Sequence, residues 1–377
     1  MYADVLILGA GPAGFHAAKA ARKFKTGIVL AGAEPYLPYW RPRLSEIVCT
    51  GSQVESIRMS GRDWYEKNGI ECRTSQKAVS IDSAGKTVRW EDGSSTEYGS
   101  LILSCGAQPT VPPLTLAEKV YTLRSYADAV EIHRQCINRK KAFLVGGGIL
   151  GLETAFALIQ AGCCVTVSVH SYPLSHQLDR EGGLFLKTLL EKEGIVVCCG
   201  DPANFQAEIN GACVIAATGV RPSLDLAEGC GIQTDRGIVV DEKMRTSVPG
   251  IYACGDVAEY DGVVPGLMTI AVKQGETAGI NAAGGDAAYR AITPATMMKV
   301  AGLSVFSIGN MNSSENTQIY RKTGDGNYAA AAVTEGRLTG AAFIGEIALG
   351  MKFKGWIESG REIGPVASFE EIESRVS

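Results

Sequence analysis

The chain has 377 residues, of which 46% are hydrophobic and 20% charged, enough apolar surface for two to three domains with packed cores, and this excludes wholesale disorder. A net charge of −4 offers no electrostatic argument for nucleic acid or an anionic membrane, so neither is predicted as a partner. The first residues lack a signal-peptide pattern and no apolar run reaches the roughly 18 residues of a membrane span, which predicts a cytoplasmic protein.

The N-terminal segment predicts a strand, a glycine turn and a helix. The apolar residues 5–8 lead into Gly9, Gly11 and Gly14, and an Ala-rich segment follows. In such a unit the glycines allow a tight turn, close approach to a pyrophosphate and packing of the helix on the sheet. Glu34 follows a second apolar run, at the distance where a carboxylate accepts hydrogen bonds from an adenosine ribose. The sequence therefore predicts a complete dinucleotide site.

The same pattern recurs at residues 142–157, with glycines at positions 146, 148 and 151. Two complete units favour two nucleotide-carrying cofactors and electron transfer between them over ordinary glycine turns. The second unit has no Asp, Glu or Arg at the expected ribose position in residues 165–171, so NADH and NADPH are not separable. His170 lies there, either as a protonated ligand of a 2′-phosphate or, as we favour, as a strand-end residue without that role.

Two later segments complete a family pattern. Residues 217–222 read Ala-Thr-Gly-Val-Arg-Pro, and residues 251–257 read Ile-Tyr-Ala-Cys-Gly-Asp-Val. With the two glycine motifs they resemble the two-dinucleotide-binding flavoproteins, the glutathione-reductase-like pyridine nucleotide oxidoreductases. The resemblance implies an α/β fold with two Rossmann-like domains, FAD as cofactor, and NADH or NADPH as electron donor. It also assigns hydrogen bonding of the FAD ribityl hydroxyls to Asp256, an acid suited to that role because it follows an apolar strand and a glycine turn.

The crossover segments predict the domain borders. We expect an FAD-binding domain from two segments, 1–108 and 222–289, an NAD(P)-binding domain at 109–221, and a small C-terminal α+β domain at 290–377. A helix is predicted over 265–283, with small residues on one flank at Ala271, Gly275, Ala278 and Ala282; the family aims its positive N-terminus at the flavin. Strands are predicted over 302–309, 327–333 and 338–344, separated by Gly, Asn and Asp turns.

Four further segments indicate which branch of the family the chain resembles. Residues 34–46, 177–183, 265–267 and 298–302 are similar to the rubredoxin-reducing branch of the family and to the reductase modules of nitrite reductases. This implies hydride transfer from NAD(P)H to FAD, and then single electrons to rubredoxin or a similar small carrier. The cofactor-binding residues that the motifs and the resemblance indicate are Gly9, Gly11, Pro12, Ala13, Gly14, Ala33, Glu34, Arg41, Val79, Ser104, Gly106, Asp256, Met268, Lys299, Gly146, Gly148, Ile149, Leu150, Gly151, Glu153 and Gly219.

One departure from the family concerns the flavin N5 atom. Many relatives have Lys where Glu46 stands, and that Lys pairs with the acid that matches Glu153. Two carboxylates so close would force one of them to be protonated. Either Arg43 supplies the positive charge or Glu46 turns away. We favour Arg43, and predict Glu153 and Arg43 as the catalytic residues.

The cysteines and histidines do not indicate thiol or metal chemistry. The 11 cysteines are odd in number and lack C-x-x-C spacing, which predicts reduced, mostly buried thiols. Cys49 alone lies near the redox cysteine position of peroxide-reducing relatives, without a neighbour that would lower its pKa, and we expect a structural thiol. No histidine follows His176 to act as a base. The four scattered histidines form no Cys/His cluster, so no metal is predicted.

Alternatives to rubredoxin reduction stay open. The acceptor could be ferredoxin, a flavodiiron protein, a nitrite reductase partner, or peroxide through Cys49. A protein of another class, a flavin-based redox sensor without steady turnover, would carry the same motifs. Residues 290–361 contain eight Lys and Arg against five acids, a mild excess that indicates either a solvated mixed surface, which we favour, or a docking face for an acidic carrier. The sequence leaves the oligomeric state and the flavin potential open.

Overall fold

The computed structural model describes residues 1–112, 119–264, 266–300, 302–311 and 316–376. The strands in these ranges are β1 (Tyr2–Leu8), β2 (Ile28–Ala31), β3 (Ile70–Arg73), β4 (Ala78–Asp82), β5 (Thr87–Trp90), β6 (Ser95–Leu103), β7 (Ala107–Pro109), β8 (Val120–Thr122), β9 (Lys141–Val145), β10 (Cys164–Val169), β11 (Ile195–Cys199), β12 (Cys213–Ala216), β13 (Val220–Pro222), β14 (Ile238–Val240), β15 (Ile251–Ala253), β16 (Ala258–Tyr260), β17 (Ala295–Val300), β18 (Leu303–Gly309), β19 (Thr317–Gly324), β20 (Asn327–Thr334) and β21 (Arg337–Ile344). The α-helices are α1 (Pro12–Ala21), α2 (Leu44–Thr50), α3 (Arg62–Lys67), α4 (Tyr126–Arg139), α5 (Ile149–Gln160), α6 (Arg180–Lys192), α7 (Gln206–Ile209), α8 (Asp225–Glu228), α9 (Met268–Ala282), α10 (Gly350–Ser359) and α11 (Phe369–Val376).

The chain divides into two compact units. The first contains residues 1–44, 52–109 and 219–291, and the second contains residues 45–51, 110–218 and 292–377. The four domain segments that the sequence predicts remain a prediction. Three residues of the sequence argument, Pro265, Ala301 and Glu315, lie outside the described residues.

The first unit is built on a mixed sheet with a parallel core. Strands β3, β2, β1, β6 and β15 are parallel neighbours in that order, and β5 and β4 extend the sheet antiparallel beyond β6. Leu8 at the end of β1 is level with Ala31 on one side and Leu103 on the other. The chain leaves β1 for β2 on one side, whereas β6 lies on the other, which creates a crevice at the carboxyl ends of β1 and β6. Open parallel sheets bind ligands at such a crevice.

The helix predicted over 265–283 is observed as α9, which packs on α1 at very short range. A Cβ atom at Gly275 would lie 2.3 Å from the carbonyl oxygen of Ala13, and one at Gly279 would lie 2.2 Å from that of Ala17. Side chains larger than hydrogen would push the helices apart. The prediction of a closely packed small-residue flank is confirmed at Gly275, and Gly279 was missed.

The second unit contains two sheets. One is parallel, in the order β11-β10-β9-β12-β8, and the other is antiparallel, in the order β17-β18-β21-β20-β19. Helices α10 and α11 cover an aromatic core around Phe343, Phe353 and Phe369. The three predicted strands are observed as β18, β20 and β21, whereas β17 and β19 were missed. These two are the edge strands, and β19 lacks the apolar alternation that reveals a half-buried strand.

The cysteines are free in the described chain but are not mostly buried as the sequence predicts. Cys136, Cys163, Cys213 and Cys254 are buried, whereas the other seven are partly or fully exposed. The prediction of burial was wrong in part because Cys164 is the first residue of β10 and Cys198 and Cys199 are the last two residues of β11, at the ends of these strands. Within the described residues, no helix combines the length and the apolar character needed to cross a membrane.

Candidate nucleotide-binding sites

Each unit contains a glycine turn, and the two turns have the same local geometry. Gly9 and Gly146 both have a φ of 111°, a conformation open to glycine and costly for other residues. The amide of Gly9 donates to the carbonyl oxygen of Ala31, and that of Gly146 to the carbonyl oxygen of Ser168, both at 2.8 Å. Each turn is thus tied to the strand beside it, at the carboxyl edge of its parallel sheet.

The third glycine of each motif lets the helix close on the turn. A Cβ atom at Gly14 would lie 1.9 Å from the carbonyl oxygen of Gly9, and one at Gly151 would lie 2.1 Å from that of Gly146. The middle glycines, Gly11 and Gly148, are the N-cap residues of α1 and α5, and neither helix start is capped by a side chain. Amide groups at an uncapped helix N-terminus are suited to bind a pyrophosphate. The geometry therefore disfavours ordinary glycine turns at both positions.

Ser104 supports the backbone of the first glycine turn by hydrogen bonding. Its hydroxyl oxygen lies 3.0 Å from the carbonyl oxygen of Leu8 and 2.9 Å from that of Gly9, and its single proton is shared between these two acceptors. The side chain is 6% exposed. Ser104 thus supports the backbone that would hold a nucleotide, which is a positioning role.

Glu34, Tyr39 and Arg41 form a cluster beside the first turn. The Tyr39 hydroxyl donates to Glu34 Oε2 at 2.6 Å, and Arg41 Nη2 donates to Glu34 Oε1 at 2.7 Å. A Cβ atom at Gly11 would lie 3.8 Å from Arg41 Nε. Burial acts to lower the pKa of Arg41, but Tyr39, Glu34 and Asp256 outweigh it and the pKa is raised. Arg41 therefore stays protonated beside the middle glycine, where it is paired with the Glu34 carboxylate.

A buried glutamine holds the turn that carries Asp256. Gln274 on α9 is 1% exposed, and its Oε1 accepts the amide of Gly255 at 2.9 Å. Gly255 has a φ of 77°, and a Cβ atom there would lie 2.8 Å from Ala13 Cβ. Sequence reasoning missed Gln274 and Tyr39. The available signal for Gln274 was an amide on the small-residue face of the predicted helix, one turn from Ala271 and Ala278.

The other predicted residues of the first unit are spread over several elements. Pro12 is the first residue of α1 and Ala13 is buried against Gly255. Gly106 follows β6 with a φ of 72°, and its carbonyl oxygen accepts the amide of Ser223. The exposed positions are Ala33 after β2, Val79 on β4, which is 46% exposed, and Met268 at the start of α9, which is 37% exposed. Gly219 has a φ of 102° and open space around it.

The second unit carries the remaining predicted residues. Ile149 and Leu150 are the first two residues of α5, and Lys299 is exposed on β17. Glu153, also on α5, is half-buried, and burial raises its pKa to about 7. A carboxyl group in this environment is about half protonated at neutral pH. Burial accounts for this shift without a contribution from Glu46, so protonation of Glu153 does not require a second carboxylate beside it.

Helix α2 lies beside α5 and α4 within the second unit. Cys49 Sγ lies 3.7 Å from Gln160 Oε1 on α5. His133 Nδ1 on α4 is 2.9 Å from the carbonyl oxygen of Val48, one of the helix-end carbonyls that needs an external donor. Burial raises the pKa of Cys49, which keeps it a protonated thiol and a poor nucleophile. Glu46 on α2 and Arg43 before it are exposed.

Two nucleotide-type glycine turns on separate parallel sheets, with an antiparallel domain after them, define a pyridine nucleotide oxidoreductase. The chain belongs to the pyridine nucleotide-disulphide oxidoreductase family, whose model matches residues 3–275. Residues 294–361 match a second model, the rubredoxin NAD+ reductase C-terminal domain. Among the residues that the structure describes, no group of His, Cys, Asp and Glu is arranged to hold a metal ion.

The chain is similar over almost its whole length to proteins with assigned functions. It is 42% identical over 372 residues to the NADH-rubredoxin oxidoreductase of Clostridium acetobutylicum, covering 98% of each chain. The crystal structure of NADH:rubredoxin oxidoreductase from that organism matches with a TM-score of 0.93 at 41% identity, covering 99% of this chain and 100% of that one. A nitrite reductase [NAD(P)H] of Bacillus subtilis is 30% identical over 398 residues, which are 98% of this chain and 49% of that protein. The chain thus spans about half of the nitrite reductase.

Proposed function

We propose that the protein takes a hydride from NAD(P)H on FAD and delivers single electrons to rubredoxin or a similar small carrier. The observation that carries the proposal is the pair of matched glycine turns, since one chain with two dinucleotide sites is built to move electrons between two nucleotide cofactors. The similarity to a rubredoxin reductase along the whole chain supports the acceptor. The cytoplasmic location remains a prediction.

The residues of the first unit fit FAD. The uncapped start of α1 and the Arg41 guanidinium supply positive charge for its pyrophosphate. Glu34 is fixed by Tyr39 and Arg41, so that its carboxylate can accept a ribose hydroxyl without losing its orientation. Asp256 follows a turn locked by Gln274, and would accept ribityl hydroxyls. When bound, FAD accepts a hydride and releases single electrons, chemistry that no side chain provides.

The second unit would hold the nicotinamide nucleotide. Its glycine turn and the start of α5 bind the pyrophosphate, and Glu153, one turn into the same helix, would lie near the nicotinamide. Such chemistry requires orientation of the two reactants and exclusion of water rather than acid-base catalysis. A carboxyl group that is about half protonated near pH 7 adds less negative charge to that environment than an ordinary carboxylate. We therefore propose that Glu153 shapes the nicotinamide site and that Arg43 supplies a positive charge needed for fast flavin reduction.

The surface of the C-terminal domain is more neutral than its composition suggests. Four of its basic residues lie in ion pairs with acids of the same unit: Arg321 with Asp179, Lys322 with Glu373, Arg337 with Glu362 and Lys354 with Glu358. This pairing leaves a surface of mixed charge rather than a strongly positive patch. We propose that a carrier docks there over a small contact with moderate salt dependence, since paired charges steer association weakly.

Turnover tests the function. Anaerobic NADH should bleach the flavin of the purified protein and then reduce many equivalents of purified rubredoxin. A redox sensor would instead be reduced slowly and stop, and reduction of the flavin without rubredoxin turnover would refute the rubredoxin assignment. Parallel assays with ferredoxin, a flavodiiron protein and hydrogen peroxide identify any other acceptor.

Arg43→Ala tests the role of that arginine. Stopped-flow reduction of the flavin should be slower in this variant than in Arg89→Ala, a matched loss of an exposed arginine on β5. Equal rates in both variants and the parent would remove Arg43 from the mechanism.

A further inference from the structure

The residue after β10 stands at the position where dinucleotide-binding units distinguish NADH from NADPH. In a dinucleotide-binding unit the end of the second strand meets the adenosine ribose, where a carboxylate binds the 2′-hydroxyl and repels a 2′-phosphate. In the second unit that strand is β10, which ends at Val169, and the next residue is His170, exposed at the carboxyl edge of the sheet.

The backbone on both sides of His170 is fixed, on one side by the glycine motif and on the other by the residue that follows β11. The amide of Leu174 donates to the carbonyl oxygen of Gly147 at 2.9 Å, and the amide of Gly200 donates to that of Val169 at the same distance. A Cβ atom at Gly147 would lie 2.3 Å from Val169 Cγ1, so the strand end and the glycine turn are in direct contact. His170 is therefore held next to the nucleotide site by backbone bonds on either side.

The nearest following acid along the chain is withdrawn from this edge. Asp179 is 6% exposed, and both of its oxygens have partners. Arg321 Nε donates to Oδ2 at 2.6 Å, the Tyr328 hydroxyl donates to Oδ1 at 2.6 Å, and the Gly182 amide donates to Oδ1 at 3.3 Å. Asp179 serves as the N-cap of α6 and ties α6 to strands β19 and β20.

The acid after the neighbouring strand is engaged in its own loop. Asp201 follows β11, and its Oδ1 accepts the amide of Ala203 at 2.8 Å as the cap of a short 3-10 helix. Neither Asp179 nor Asp201 stands at the end of β10. In the described part of this edge, the position that normally carries the selective carboxylate holds an imidazole.

We infer that the protein accepts NADPH as well as NADH, and that His170 is the specificity-determining residue. The imidazole can hydrogen-bond either a 2′-hydroxyl or a 2′-phosphate and does not repel the phosphate. The inference rests on the nicotinamide site of the proposed function and is independent of the electron acceptor. It assigns a substrate class, the 2′-phosphorylated dinucleotides, that the sequence pattern left undecided.

Three substitutions at His170 separate the effect of side-chain charge on nucleotide binding from other effects of the substitution. His170→Asp and His170→Asn differ only in a negative charge, and His170→Arg adds a positive one. The dissociation constants of NAD+ and NADP+ are measured by calorimetry on the FAD-loaded proteins, with the visible flavin spectrum as the folding check. Flavin reduction by NADH and by NADPH, with ferricyanide as acceptor, gives a second readout that does not need rubredoxin.

The expected results are specific. The parent should bind the two nucleotides within about tenfold of each other. Relative to the Asn variant, the Asp variant should shift the ratio of constants toward NAD+ by roughly 10- to 100-fold, as expected for one charge facing a phosphate across partly screened solvent. The Arg variant should shift it toward NADP+.

Two results would overturn the inference: a parent that binds NAD+ more than about a hundredfold tighter than NADP+, or equal ratios in the Asp and Asn variants. Failure of both nucleotides to bind the parent would refute the nicotinamide site of the proposed function as well. Nucleotide binding as expected, with no transfer to rubredoxin, would support the inference and refute the acceptor alone.

Discussion

Replacement of Glu153 by Gln should make the protein more stable at high pH and leave its stability at low pH unchanged. Burial raises the pKa of this carboxyl group to about 7, from an ordinary value of 4.5. The folded protein therefore favours the protonated form. The ionised form is disfavoured in the folded state alone, since the unfolded chain exposes the group to water.

The sign and size follow from linkage. Below about pH 4.5 the group is protonated in both states and the burial costs nothing. The cost grows as the pH rises and is complete above about pH 7, at about 1.4 kcal/mol for each pH unit between the two values, or roughly 3 kcal/mol in total. Partial exposure of Glu153 makes this an upper value. Gln has no charge at any pH and avoids the cost.

The assay is thermal unfolding of the FAD-loaded protein, followed by flavin fluorescence at several pH values. The melting temperature of the Glu153→Gln variant should exceed that of the parent by a few degrees at pH 8 and approach it as the pH falls below 4.5. Glu193→Gln, at an exposed position, controls for the loss of a carboxylate. An equal difference between variant and parent at both pH values would refute the reasoning, because it would show that Glu153 does not titrate in this range.

Two further predictions test the packing that positions the sites. Gly275→Ala should lower the free energy of unfolding by about 1–3 kcal/mol, because its Cβ would lie 2.3 Å from the carbonyl oxygen of Ala13. Gly355 is a helical glycine at which an added Cβ would meet no atom within 4 Å. Gly355→Ala should therefore raise the free energy of unfolding by up to about 1 kcal/mol in the same denaturation experiment. Arg321→Met should cost about 3 kcal/mol, because it leaves the buried Asp179 carboxylate without its cation. Adding Asp179→Asn to that variant should recover part of the loss, and no recovery would show that the arginine acts through packing alone.

The glycine motifs were predictable because their requirements are local. A positive φ at the first glycine and a close helix at the third depend on residues within a few positions, and both are observed at Gly9 and Gly14 and again at Gly146 and Gly151. The edge strands β17 and β19 were missed because they depend on residues that are not local in the sequence. An edge strand is held by its neighbour's backbone, so its side chains need not follow a pattern.

The sequence by itself determined the class of protein and the two nucleotide motifs. The tertiary structure decided the protonation and the ion pairing of the charged side chains around those motifs. In the folded protein, burial raises the pKa of Glu153 to about 7, and Arg41 forms an ion pair with Glu34. Asp179 is buried and is bound by Arg321 and Tyr328. Burial and ion pairing depend on residues that are distant in the chain, and Asp179 and Arg321 are 142 positions apart, so no local pattern could reveal them.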